Sequence, residues 1–432
     1  MSRQSHPSSH HSSHDADEYF DLVKASDELS EGTTLMLEKF RDHEGVRGHE
    51  VERLENVLLS SEYLRSALDE AIEFDHLNEI VPLSAQGGDI NAGGMYDFRN
   101  KTLSLSLSGP DDQFNSVDLV FVIGHELQHA MDRQTLVSDQ NAAIAEYERA
   151  ISHPARYDRQ NNIYDITAAT HIAIESTREH EARAEIGGWN AVASTLHEHL
   201  VDRPPTLDEM QRMCSNRTGD FLQAAVTQTG TSHGFALRPG LTVNNRMQMS
   251  LSWNNIQSMK VYYADAQRPP GEGFGVERNT DYRNLTASRY VNLATTHMGL
   301  YEQYRPDQAH MIRLDMKSLH LSGQQLRGAG LYASERTAPM FVYDGSNPRL
   351  GLIPTMLHDG ATIPRHPMAA ATSPTTHYQA AVNGAHQKTN EPTTSAGSSA
   401  LTGAGQRNLL EKQEIPLITR RPASKNRHTS RR

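Results

Sequence analysis

The stretch Val122-Ile-Gly-His-Glu-Leu-Gln-His-Ala130 decides the reading of this chain. It lies within Leu119, Ile123, Leu127 and Met131, apolar residues at helical spacing, and follows Asp111, Asp112 and Ser116, whose side-chain oxygens suit the start of a helix. Four residues advance an α-helix by about one turn, so His125 and His129 project from one face and reach a single cation together. Glu126 sits one step round the helix, placed to take a proton from a metal-activated water instead of ligating the metal. The His-Glu pairs that begin at His43, His49, His180 and His197 lack a second histidine four residues on, so this pattern occurs once.

Working outward, Leu103, Leu105 and Leu107 alternate with Ser104, Ser106 and Ser108, the period of a strand with one buried face. Met95 to Phe98 would pair with it as a hairpin across Arg99 to Lys101. Before Pro82 the apolar positions Val51, Leu54, Leu58, Leu64, Leu68 and Ile72 fall at roughly helical spacing. Further helices are expected over 166–200, 207–226 and 285–304, and strands around Met247, Met249 and Leu251 and around Ile312, Leu314 and Met316. The expected fold class is therefore α+β, predominantly helical, with a small mixed sheet beside the helix that carries the two histidines. Gly271, Gly273 and Gly275 read as a surface loop, because no strand and helix frame them as a phosphate loop requires.

The 432 residues suffice for a large core, and Lys plus Arg (41) against Asp plus Glu (53) gives a net charge of −12, which argues against a wholly basic nucleic-acid binder. One cysteine, Cys214, excludes an internal disulfide framework and a cysteine-built zinc finger, so a bound metal needs histidine and carboxylate. Residues 1–16, rich in serine and histidine, read as a disordered tail, 17–200 as the metal-binding core and 201–365 as a second, mixed helical and strand part of the same body. Residues 366–432 read as a disordered tail with nine Lys or Arg against three Glu. Its Arg420, Arg421, Lys425, Arg427, Arg431 and Arg432 give local attraction for anions, yet a solvated tail accounts for them, and no nucleic-acid partner is expected. No run approaches 18 apolar residues and the start lacks a hydrophobic signal segment, so neither a membrane span nor ordinary signal-peptide export is expected, and the protein is expected to be cytoplasmic as made.

Catalytic zinc normally takes three protein ligands and keeps a fourth position for water. The third is sought in Arg178-Glu-His-Glu-Ala-Arg-Ala-Glu-Ile-Gly-Gly-Trp-Asn190, a helical segment dense in carboxylates. Glu181 is the choice, because Ala184 and Gly188 on its face let that helix approach the metal helix, where Gly124 and Ala130 are also small. Glu185 would orient a ligand from behind, and Glu179 and Glu185 remain substitutes for the ligand itself. Taken alone, the segment reads as a solvated acidic helix.

His125-Glu-Leu-Gln-His129 together with Glu181-Ala-Arg-Ala-Glu185 resembles the zincin metallopeptidases, in particular the gluzincin type, whose third ligand sits in an E-x-x-A-[D/N] helix. Glu185 departs from the usual Asp or Asn at the last position, and the likeness covers only Met95 to Asn190. It implies two lobes, a mixed one carrying the metal helix and a more helical one carrying Glu181, with a peptide lying beside the strand Leu103 to Ser108. Zn2+ held by His125, His129 and Glu181, with Glu126 as base, would hydrolyse a peptide bond of a protein or peptide substrate. A donor for the developing oxyanion is sought in His297 and Tyr301, four residues apart on one helix, with Arg289 and Tyr290 just before them. The alternative is a non-catalytic zinc-stabilised interaction protein acting through its tails. The polar, serine-rich start also resembles that of effector proteins that bacteria inject into host cells, some of which are HExxH proteases.

Overall fold

The structure is a computed structural model that describes residues 28–83, 93–106, 116–152, 155–156, 161–200, 203–215, 217–226, 232–266, 274, 279–304, 309–326, 328–329, 341–344 and 354–356. Both predicted tails, Asp111, Asp112, Leu107 and the Gly271 to Gly275 glycines lie outside them. The described part is mostly helical with small sheets, as the α+β expectation requires.

Helices α1 (Glu31–Arg41), α2 (Gly48–Leu59) and α3 (Glu62–Glu73) open the fold. Ser30 and Ser61 cap α1 and α3 by accepting from Thr33 N and Leu64 N. The helical expectation up to Pro82 ends early, because Glu79–Pro82 forms strand β1. β2 (Gly94–Asp97) and β3 (Thr102–Leu105) form the expected hairpin, in antiparallel register with Tyr96 opposite Leu103. Its turn is local chemistry: Asp97 Oδ1 accepts from Arg99 N at 2.9 Å and Asn100 N at 3.2 Å, and Lys101 takes a left-handed φ of 56°. β1 pairs with β3 in parallel, so the sheet order is β1-β3-β2 and β3 is central. Two expectations about β3 are thereby corrected. Ser104 is as buried as its leucine neighbours, because helices pack on this sheet from α1 as well as from the metal-helix side, and no peptide can pair beside a strand already flanked on both edges.

The histidine helix is α4 (Ser116–Met131), followed by α5 (Arg133–Ser152). After β4 (Ala155–Arg156) and β5 (Asn161–Asp165) comes α6 (Thr167–His199), 33 residues long, matching the expected helix over 166–200. From Glu181 to Leu196 it is buried on nearly every face, which marks it as an interior helix. α4 and α6 cross by means of glycine: a Cβ on Gly124 would stand 2.6 Å from Ala191 Cβ and 2.8 Å from Gly187 O.

Two further expectations fail for tertiary reasons. α7 (Leu207–Met213) stops early, and Leu222–Val226, expected in the same helix, becomes β6, paired with β7 (Ser232–Leu237). Met247 to Leu251 is not a strand: Met247 has a φ of 61°, and the Asn190 carboxamide donates to Met249 O and accepts from Met249 N, doing the work of a neighbouring strand. α8 (Trp253–Met259) runs into a π-helical turn over Lys260–Ala264. α9 (Tyr282–Tyr304), β8 (Ala309–Leu314), α10 (Gly323–Leu326), β9 (Phe341–Asp344) and β10 (Pro354–Met356) complete the described chain, with sheet order β10-β9-β8-β5-β4.

Two large clusters of buried apolar residues result. One gathers α1 to α4, the first sheet, the C-terminal half of α6 and residues from α7 to Leu285, thus from both sides of position 200. The other gathers α5, β5, the N-terminal half of α6, α9 and β8. Among the described residues no helix is long and apolar enough to cross a membrane.

Candidate metal centre

Because α4 and α6 meet at their glycines, their polar faces are pressed together one turn away. His125 Nε2 lies 3.7 Å from Glu181 Oε2 and His129 Nε2 lies 3.8 Å from Glu181 Oε1, with the two rings 4.9 Å apart. One ligand atom from each of His125, His129 and Glu181 falls within 4.8 Å of the others, and all three residues are buried. These separations exceed a hydrogen bond. Two donors on one tetrahedral zinc stand about 3.3 Å apart, given bonds of about 2.0 to 2.1 Å, so each His–Glu separation exceeds that spacing by about half an ångström. His129 Nε2 and Glu181 Oε2 are buried without a hydrogen-bond partner, although each costs free energy in that state. A cation shared among these atoms would satisfy both, so the donor set is able to hold a metal ion.

The remaining contacts orient the donors. Glu185 Oε1 lies 3.3 Å from His125 Nδ1, which directs Nε2 of that ring toward Glu181. Glu185 thus stands where an orienting carboxylate was expected. Glu179 does not join the group: it is half-buried and pairs with Lys260 Nζ at 3.3 Å. Glu126 is 2 % exposed, and its Oε2 accepts from Tyr96 N of β2 at 2.8 Å, so the sheet fixes the carboxylate beside the histidines. α4 is braced through Tyr63, whose hydroxyl donates to Gln128, and through Asp132, which accepts a forked pair of 2.7 Å bonds from Arg183.

Burial sets the charge states. Desolvation, aided by Arg217, pushes the His125 imidazole down to about 3, and desolvation drives His129 well below its usual range. Both rings are therefore neutral at pH 7, the form that ligates metal. Desolvation raises Glu126 to about 8, against the Tyr96 N–H, and holds Glu181 well above the carboxylate range. These are environments in which a divalent cation supplies the charge that solvent does not.

Two aromatic residues were not legible as part of this centre. The Tyr282 hydroxyl hydrogen-bonds Glu181, and the Tyr263 hydroxyl stands 3.2 Å from that of Tyr282, with the Tyr263 ring 6.4 Å from that of His125. Tyr263 arrives on the π-helical turn, a feature that re-aims side chains. Asp265 just beyond clamps the turn, accepting from Arg178 Nε at 2.8 Å and Arg283 Nη2 at 3.1 Å. No spacing rule announces either tyrosine. Of the sequence candidates on α9, Arg289 and Tyr290 line a cavity that also touches His129 and Glu181, while the side chains of His297 and Tyr301 lie outside those described.

Comparison with family models, with curated proteins and with solved structures finds no match. The centre therefore stands on its own geometry.

Proposed function

We propose that this chain is a zinc-dependent metallopeptidase of the gluzincin kind that hydrolyses a peptide bond in a protein or peptide substrate. The observation that carries this is the convergence of His125, His129 and Glu181 on one buried point with two polar atoms left unpartnered, beside a glutamate that is not one of the three. His125, His129 and Glu181 would hold the ion. Zinc, when bound, supplies a Lewis acid that makes water a nucleophile near neutral pH and polarises the carbonyl under attack. Glu126 accepts the proton and returns it to the leaving nitrogen; the Tyr96 N–H holds Oε2 and leaves Oε1 for the transfer. The two apolar clusters support a two-lobed body, with α6 running from one to the other.

Burial of all the site side chains favours a second reading, in which the ion only pins α4 to α6. Metal analysis and a chelator-sensitive cleavage assay on a peptide library separate the two. In the catalytic reading Glu126→Gln keeps zinc and loses cleavage by at least about 100-fold, whereas Glu181→Ala loses zinc. A zinc-loaded wild-type protein that cleaves nothing, or a Glu126→Gln protein with full activity, would remove the catalytic assignment.

A further inference from the structure

The hydrogen bond between Tyr282 and Glu181 depends on where the start of α9 and the π-helical turn lie, and both are tied to α6 by a cluster of charged side chains. Glu175, Arg178 and Glu179 come from α6, Lys260 and Asp265 from the turn and the residue after it, and Arg283 from α9. Three cations meet three carboxylates, so the cluster balances internally. Asp265 is its centre. It accepts a forked pair from Arg178, through Nε at 2.8 Å and through Nη2, and it accepts from Arg283 Nη2 at 3.1 and 3.2 Å. Arg178 precedes Glu181 by three residues, so about one turn of α6 separates this anchor from the donor. Arg283 follows Tyr282 directly and Asp265 follows Tyr263 by two residues. Each arm of the clamp therefore leads to one of the two hydroxyls that stand 3.2 Å apart. Glu175 closes the cluster from the other side, 3.6 Å from Lys260 Nζ and 4.0 Å from Arg283 Nη1.

We infer that Asp265 is a positioning residue of the metal centre: by holding Arg178 and Arg283 together it seats the Tyr263 and Tyr282 hydroxyls against Glu181, and so sets the affinity for the ion without touching it. The inference rests on the metal-binding part of the proposed function and not on peptide cleavage. Outer contacts tune a metal site by fixing the orientation of a ligand, and here the ligand is the only carboxylate of the donor group. A cluster that merely held the fold together would change stability and leave the affinity of the folded protein alone. The two roles therefore separate in a double-mutant cycle.

The test uses the full-length chain and zinc itself, with affinity read by competition against a chromophoric chelator on variants whose circular dichroism is that of the folded wild type. Asp265→Asn should bind zinc about tenfold more weakly than wild type. Tyr282→Phe should weaken binding at least as much, and adding Asp265→Asn to it should cost less than about twofold more, because the hydroxyl being positioned is gone. Co2+ in place of zinc gives a second reading: its visible absorption, which reports donor geometry, should move in Asp265→Asn in the same direction as in Tyr282→Phe. Unchanged zinc affinity in Asp265→Asn, or losses that simply multiply in the double variant, overturns the inference. Should Asp265→Asn fail to fold, Arg283→Lys decides, since it keeps the charge and gives up the Nη2 contacts; an affinity equal to that of wild type there overturns the inference. A wild type that takes up no zinc overturns the metal-centre reading, and this inference with it.

Discussion

The glycine crossing of α4 and α6 makes a quantitative demand on Gly124→Ala. In an exposed helix this change gains about 1 kcal/mol of helix propensity. Here the new methyl meets Ala191 Cβ at 2.6 Å, Gly187 O at 2.8 Å and Gly188 Cα at 3.2 Å, and two of those three atoms are backbone. Apolar contact is comfortable at about 3.5 to 4.0 Å, so the helices must part by roughly 1 Å. Overpacking of this kind costs about 1–3 kcal/mol, and a backbone obstacle places it at the upper end, leaving a net loss of about 1–2 kcal/mol. The same displacement opens the 3.7 and 3.8 Å separations between the histidines and Glu181 beyond the span of one ion, so zinc affinity should fall by at least about tenfold. Urea unfolding of metal-free protein reads the first quantity, and competition against a chromophoric chelator reads the second. Gly48→Ala is the control, because a methyl there meets open space. A Gly124→Ala protein as stable as wild type would refute the close approach. One that is destabilised but binds zinc unchanged would refute the claim that the crossing sets the donor spacing.

Removing metal should expose opposing pH effects. His125, held near 3, binds fewer protons folded than unfolded, so stability rises with pH up to its ordinary value of 6.5; Glu126, held near 8, binds more protons folded, so stability falls from 4.5 up to about 8. The two cancel where they overlap, and urea midpoints should decline between 6.5 and about 8 in wild type but less steeply in Glu126→Gln; identical slopes would contradict the assignment. Tyr282→Phe removes the hydroxyl bonded to Glu181 and should weaken zinc binding about 10- to 100-fold while the circular dichroism spectrum stays that of wild type; undiminished affinity would make the tyrosine pair bystanders. Trp189→Ala empties a site that is 1 % exposed and strips Met247 O of its indole donor at 2.6 Å, so unfolding should become easier by about 3–5 kcal/mol; a loss below about 1 kcal/mol would mean the loop is held by other contacts.

What could be read from the sequence was what lies within one element. The histidine pair, the glutamate between them and the small residues on both helices are properties of a single helical repeat, and they recur in the structure with the expected neighbours. The hairpin was legible because Asp97 and the Leu/Ser alternation act over a few residues. What failed depends on partners far along the chain. Leu222–Val226 has a helical pattern and becomes a strand because Ser232–Leu237 offers a ladder, and Met247 to Leu251 loses strand form because Asn190, some sixty positions earlier, satisfies its backbone. Tyr263 and Tyr282 were illegible for the same reason: the Tyr282 hydroxyl meets Glu181, and the Tyr263 hydroxyl meets that of Tyr282, only after the π-helical turn and the start of α9 are brought together.

The division of α6 between two cores bears on how the donor group and the cavity beside it can vary. Its residues Ala169, Ala173 and Ile174 pack in the second cluster, while from Ala182 onward it packs in the first. Glu181 stands at the change. An uninterrupted apolar core would strongly disfavour five ionisable side chains, whereas here the Tyr96 N–H holds Glu126 and the Tyr282 hydroxyl holds Glu181. The donors and their immediate supports, α4, the second half of α6, Tyr263 and Tyr282, all belong to the first cluster. Much of the cavity wall, from Ala143 on α5 to Tyr290 on α9, belongs to the second. A shift of one cluster against the other therefore reshapes the cavity while leaving the donor distances intact. Substitutions in the second cluster that preserve folding, such as changes at Val291 or Ala294, should consequently alter the shape of the cavity before they alter the affinity for metal.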